Sequence, residues 1–227
     1  MEILQLQNWF FDIRSRSFVL LVISFVLVSL LVYFGITESF DQTLISFTAD
    51  HVGNPSMDFV MQLITESGDT IWMLGFGIIM ILIKKTRKIG ITLMILIVLS
   101  TLLTGYIKCG VDRDRPDFEY DGSPFPVKIS RDTFALFCDG GANASYPSGH
   151  AARSIIFGII FAFALSQRFP RGSYLLFLYP ILICISRVYV LQHFPMDVIG
   201  GIILGVMLTG VISKRTKLDK IFEKLKS

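Results

Sequence analysis

Six long apolar runs constrain this chain more than any other feature of its sequence: Phe18–Ile36, Ile71–Ile83, Ile89–Ile107, Ala151–Ser166, Tyr174–Leu191 and Pro195–Ser213. A helix that crosses a bilayer needs about 20 predominantly apolar residues. Five of the runs approach that length, and the second, shorter one is expected to begin earlier, near Gly68. The balance of residue types agrees, because 52% of the chain is hydrophobic and 17% charged, against about 25% charged in a soluble domain. The expected fold is therefore all-α, a bundle of six transmembrane helices, with residues 1–227 forming a single integral membrane domain. The first run follows Arg14 and Arg16 as a signal peptide would, yet it is long and no Ala-x-Ala pattern follows it, so it is read as a retained anchor. There is no internal repeat or low-complexity tract.

Orientation follows from the cations. Arg14 and Arg16, the Lys84–Lys88 turn, the connection around Arg168 and Arg171, and the tail at Lys214, Arg215 and Lys217 are basic. Such clusters stay on the cytoplasmic side. The segment Thr37–Thr70 carries Glu38, Asp41, Asp50, Asp58, Glu66 and Asp69 without one lysine or arginine. It belongs outside. Alternation then puts both termini in the cytoplasm and the loop from Lys108 to Pro147 outside, in a multi-pass protein of the plasma membrane. The net charge of +3 is explained by this topology and calls for no nucleic acid or acidic partner, and no obligate protein partner is evident.

Three polar strings fall on the outer side of that topology. Lys108 with Arg115-Pro116 closes the third run, Pro147-Ser148-Gly149-His150 opens the fourth, and Ser186-Arg187 with His193 and Asp197 joins the fifth to the sixth. Charges near apolar spans are costly and tend to mark function. Ser148 can cap the helix it precedes, leaving first-turn amides to face an anion, with Gly149 allowing close approach. Arg115 and Arg187 offer planar forks suited to phosphate oxygens, and Lys108 adds a point charge. Asp197 stands four residues after His193, with Pro195 opening the helix, so that its carboxylate can reach back to the imidazole, fix its tautomer and make it a nucleophile. Capping the sixth helix is a second role open to Asp197.

In their order and spacing these strings match the three-part signature of the type 2 phosphatidic acid phosphatase superfamily, and the chain resembles its membrane-bound lipid phosphate phosphatases, the phosphatidylglycerophosphate phosphatase B branch foremost. The resemblance implies a metal-independent, two-step reaction without a cofactor. His193 would attack phosphorus to form a phosphohistidine, Asp197 would orient it, His150 would protonate the leaving oxygen, and Lys108, Arg115, Ser148, Gly149 and Arg187 would hold the phosphate oxygens. The expected substrate is a membrane lipid phosphate, phosphatidylglycerol phosphate first and undecaprenyl pyrophosphate second. A lipid or phosphate transporter is a different class that would also use external cations, but polar groups would then continue inward. A vanadate-type haloperoxidase is remoter still.

Other residues carry blander expectations. His51 is read as a surface residue, Arg153 as snorkelling to the interface, and Asp112, Arg113, Asp114, Asp117, Glu119 and Asp121 as a solvated loop of mixed charge. Met57, Met61 and Ile64 recur at helical spacing, with Asp58, Gln62 and Thr65 off that stripe, which suggests an interfacial helix separated by Gly53-Asn54-Pro55 from a shorter one around Phe40, Leu44 and Phe47, with plain packing on the bundle the favoured role over shaping a lipid entrance. Cys109 and Cys138 both lie in the external region, where a disulfide is possible, and Cys184 is apolar filler.

Overall fold

The computed structural model describes residues 11–118, 138, 143–166, 169 and 171–218. Its helices are α1 (Arg16–Tyr33), α2 (Glu38–Ala49), α3 (Pro55–Ser67), α4 (Thr70–Leu82), α5 (Arg87–Val111), α6 (Gly149–Ser166), α7 (Leu178–Tyr189, preceded by a 3-10 segment Gly172–Phe177) and α8 (Pro195–Arg215). No strand occurs among the described residues. Arg168 and the loop carboxylates Glu119 and Asp121 lie outside the described residues.

Local chemistry sets the helix boundaries. Ser15 Oγ accepts from the Phe18 amide at 3.1 Å, and Asn54 Oδ1 accepts from the Ser56 and Met57 amides at 3.1 and 3.2 Å while Pro55 takes the first helical position. These caps use donors that helix starts leave orphaned. Gly68 ends α3 and Asp69 starts α4, its Oδ1 accepting from the Ile71 amide at 2.8 Å.

Five helices or helix runs are long and apolar enough to span a bilayer, and the pair α3 and α4, bent by 52°, makes a sixth when the two are taken as one broken span. The 13 residues of α4 reach only about 20 Å at 1.5 Å per residue, short of a hydrocarbon core of about 30 Å. α4 starts at Thr70 behind its Asp69 cap, close to the start expected near Gly68, and the remaining length would come from α3.

The core lies where α4, α5, α6 and α8 meet, around Leu93, Leu96, Ile97, Ile156, Ile160, Phe163 and Leu204. α1 sits at the edge: only Val32 of its residues is buried, and Val19, Leu20, Ile23, Leu27 and Leu30 are exposed to what would be lipid. α6 and α8 approach most closely through glycines. A Cβ at Gly201 would overlap the Ser148 carbonyl, and one at Gly205 would overlap Ile155 and the Ala152 carbonyl. Since lipid tails compete equally for apolar side chains, close backbone packing of this kind drives association of membrane helices.

The fold decides which faces of α2 and α3 turn inward. In α3 the buried residues are Asp58, Gln62 and Thr65, while Met57, Val60 and Leu63 are exposed. In α2, Asp41 and Ile45 are buried while Phe40 and Phe47 are exposed. The polar side of α3 faces protein and its apolar side faces out, whereas α2 turns one polar and one apolar residue inward and leaves residues of both kinds exposed.

Cys109 and Cys138 form a disulfide with Cα atoms 5.9 Å apart, tying the chain after α5 back to the residue next to Lys108. Peptide mapping without reductant is expected to recover these two cysteines linked and Cys184 as a free thiol; two unlinked peptides would contradict the pairing. The α6–α8 contact gives a second test. Gly205→Ala should destabilise the detergent-solubilised protein by about 1–3 kcal/mol through overpacking against backbone. Gly75→Ala, where a Cβ meets nothing within 4 Å, should leave melting unchanged or slightly raised, by up to about 1 kcal/mol of helix propensity.

Candidate active site

The start of α8 organises the region. Pro195 occupies its first turn, and Asp197 Oδ2 accepts from the Phe194 amide at 2.8 Å, so this carboxylate does cap the helix. The same oxygen lies 3.5 Å from His193 Nδ1. Capping and the approach to the imidazole coexist because the N3 position reaches both. The turn that brings His193 there runs through Leu191, held at φ 55°. Leu191 is buried with Ile45 and Phe194, and the Gln192 amide donates to the Arg187 carbonyl at 3.2 Å. A left-handed leucine carries backbone strain, which surrounding packing must hold in place.

The Pro147-Ser148-Gly149-His150 string docks on that turn. Ser148 N–H donates to the Asp197 carbonyl at 2.9 Å, and Ser148 Oγ accepts from the Ala151 amide at 3.4 Å at the start of α6. The missing side chains of Gly200 and Gly201 make room, since a Cβ would meet the Tyr146 ring at the first and the Ser148 backbone at the second. Tyr146 is anchored on α1. Ser29 Oγ donates to the Phe25 carbonyl, so in its 2.9 Å contact with Tyr146 Oη it acts as acceptor. Burial pushes the Tyr146 phenol up to about 12, which keeps it neutral and available as that donor.

The cations reach the same region from separate elements. Lys108, in the last turn of α5, donates through Nζ to the Ala144 carbonyl at 2.7 Å. Arg115 Nη1 donates to the Gln192 carbonyl, next to His193, at 3.0 Å. Arg187 Nη1 donates to Thr65 Oγ1 on α3 at 3.0 Å. Lys108, Ser148, His150, Arg187, His193 and Asp197 are at most 2% exposed, Gly149 is buried and Arg115 partly so. The eight residues singled out from three distant strings are thus tied together by short links between α5, the residues before α6, α6 itself, α7 and the start of α8. Such a site presents several cations and backbone amides to an anion, with an imidazole held beside a carboxylate.

Two residues read as bland from the sequence belong to this region. Arg113, expected in a solvated loop, pairs with Asp197 Oδ1 at 2.8 Å and with Asp41 Oδ2 at 2.7 Å. The signal that could have revealed it is its position two residues before Arg115, but three neighbouring carboxylates in sequence masked it. Arg153 does not snorkel: it is 1% exposed, with Nη2 at 3.4 Å from His150 Nδ1 one helical turn away. His51 is exposed, as expected, its Nδ1 2.7 Å from the Phe47 carbonyl oxygen.

The PAP2 superfamily model matches residues 89–219, a stretch that runs from the start of α5 to the end of α8 and contains all three strings. The chain is 31% identical to the lipid A 1-phosphatase of Rhizobium johnstonii over 177 residues, covering 69% of this chain and 68% of that one. It is 27% identical over 199 residues to the phosphatidylglycerophosphatase B of Bacillus subtilis, covering 83% and 89%. The fold agrees with the crystal structure of a transmembrane PAP2 type phosphatidylglycerolphosphate phosphatase from Bacillus subtilis, with a TM-score of 0.70 at 24% identity over 91% of this chain and 97% of that one. The chain accordingly belongs to the PAP2 superfamily and is a multi-pass membrane phosphatase of lipid phosphates.

Proposed function

We propose that this protein hydrolyses phosphatidylglycerol phosphate to phosphatidylglycerol and phosphate through a phosphohistidine on His193, and that residues 1–227 act as one membrane-embedded unit. The observation that carries the reading is the approach of His193 Nδ1 to Asp197 Oδ2 at 3.5 Å, both side chains fully buried. With Nδ1 turned to the carboxylate, Nε2 is the nitrogen left for phosphorus. As the Nε2–phosphorus bond forms, the bond to the lipid oxygen breaks and that oxygen takes a proton from His150. Water then attacks the phosphohistidine, giving its proton to His150, and phosphate leaves with the imidazole restored. Phosphoryl transfer asks mainly for positioning and charge stabilisation, and Lys108, Arg115, Arg187, Ser148 and the amide of Gly149 are the groups suited to holding the oxygens.

The lipid is chosen from a relative that shares most of its length with this chain, a phosphatidylglycerophosphatase covering 83% of this chain and 89% of its own. A relative of higher identity is a lipid A 1-phosphatase, so the headgroup is decided by assay. Phosphate release by the purified protein from phosphatidylglycerol phosphate, lipid A 1-phosphate and undecaprenyl pyrophosphate should be fastest with the first, and preference for another lipid would reassign the substrate. His193→Asn should lower release by on the order of 10,000-fold or more, while a chelator should leave it intact.

The cation distribution supports a site on the extracytoplasmic side with both termini cytoplasmic. In intact cells, a membrane-impermeant maleimide should label Asp50→Cys, in the exposed connection between α2 and α3, and not Lys85→Cys, in the exposed turn between α4 and α5. The opposite pattern would invert the topology.

A further inference from the structure

The histidine and aspartate of the site do not stand alone, because the Asp197 carboxylate is braced by Arg113, in the stretch between Lys108 and Arg115, and through it by α2, which none of the three strings includes. Its Oδ1 accepts from Arg113 Nη1 at 2.8 Å and its Oδ2 from the Phe194 amide at 2.8 Å. The other arm of the Arg113 fork, Nη2, donates to Asp41 Oδ2 on α2 at 2.7 Å. Asp41 Oδ1 in turn accepts from the Met196 amide at 3.1 Å, an orphan donor in the first turn of α8. Its Oδ2 also accepts from Thr37 Oγ1 at 3.3 Å. Asp41 and Asp197 are both fully buried.

Arg113 is itself held on three sides. Its guanidinium carbon lies 4.1 Å from the centre of the Phe194 ring, a cation–π stack that fixes the plane of the fork. Its carbonyl accepts from the Ser145 amide at 2.7 Å and from Ser145 Oγ at 3.2 Å, which ties it to the segment leading into Pro147-Ser148-Gly149. Asp112 at φ 48° ends α5 in the left-handed conformation and turns the chain toward this position. An arginine gripped at its backbone, its face and both arms sets the direction of the carboxylate it holds.

We propose that Arg113 is a positioning residue for phosphoryl transfer, with Asp41 as its counter-anchor, holding the Asp197 carboxylate in the orientation that presents the His193 imidazole to phosphorus. This rests on the assignment of His193 as nucleophile. The planar fork is the operative feature, since one point charge cannot occupy two separate carboxylates in fixed directions. Asp41 acts at one remove, through Arg113 and through the amide of Met196.

The test uses Arg113→Lys, Arg113→Ala, Asp41→Asn and the Arg113→Ala/Asp41→Asn double variant of the full chain in detergent micelles. The chain has three histidines, so selective 15N-histidine labelling gives three sets of ring signals, and His193→Asn identifies its own. In the wild type the His193 signals should report a proton fixed on Nδ1, and both Asp41→Asn and Arg113→Lys should move them toward an averaged tautomer mixture. With the best lipid phosphate, kcat should fall by about 10- to 100-fold, the scale of a displaced reacting group, with KM little changed. The double variant should lose no more than Arg113→Ala alone. Unchanged His193 signals in Asp41→Asn and Arg113→Lys variants that melt like the wild type would overturn the proposal, as would a raised KM at unchanged kcat. The ring signals decide it without turnover, so a wild type that releases no phosphate would sink the phosphatase reading separately.

Discussion

Buried charge in an apolar bundle must be matched, and the Asp41–Arg113–Asp197 bridge is where this fold meets that demand most directly. Two carboxylates with no exposed surface share one guanidinium. Removing one partner of a buried pair leaves an uncompensated charge, at a cost of about 3–5 kcal/mol. The bridge therefore does structural service as well: it fastens α2 to the first turn of α8 and, through the backbone of Arg113, fastens both to the residues that lead into α6. The bridge joins the first and third sequence strings to each other and to α2, an element outside them.

The other constraint is steric. α8 carries Gly200, Gly201 and Gly205 along the side that meets Tyr146, Ser148 and the first turns of α6. Side chains there would separate the helices and with them the Ser148 amide from the Asp197 carbonyl, a link of 2.9 Å. Packing and site geometry are thus one problem in this protein. The contact that brings the two helices together also sets the distance between the turn holding His193 and the helix start holding His150.

α2 and α3 illustrate how the bilayer changes what amphipathicity means. In water an apolar stripe turns inward; here Asp41 faces Arg113, and Thr65 faces Arg187. Asp58 Oδ1 accepts from Tyr189 Oη at 2.6 Å. The polar stripe of α3 lines the protein interior and its apolar stripe looks outward, while α2 buries Asp41 one turn from Ile45. Such an inversion suits helices that enclose a charged reaction beneath a lipid-facing surface.

The apolar runs of the spans were legible in the linear chain because such a run needs no tertiary information to declare itself, but the pairing of α3 with α4 was not, since α3 reads there as a separate helix. The eight candidate residues could be singled out in the linear chain because the chemistry proposed for them is local: a cap before a helix, a carboxylate one turn after an imidazole, cations at helix ends. Arg113, Arg153 and the inward faces of α2 and α3 could not. Arg113 pairs with carboxylates 72 and 84 residues away, and in the linear chain its nearest carboxylates are Asp112 and Asp114, which suggest a solvated loop. What the linear chain determines by itself is which segments enter the membrane and which short strings bear chemistry, since both follow from neighbours within a few residues. Which buried charge answers which, and which face of a helix turns inward, only the tertiary structure decides, because electrostatic pairing in a low-dielectric interior depends on distances through space that separation along the chain does not encode.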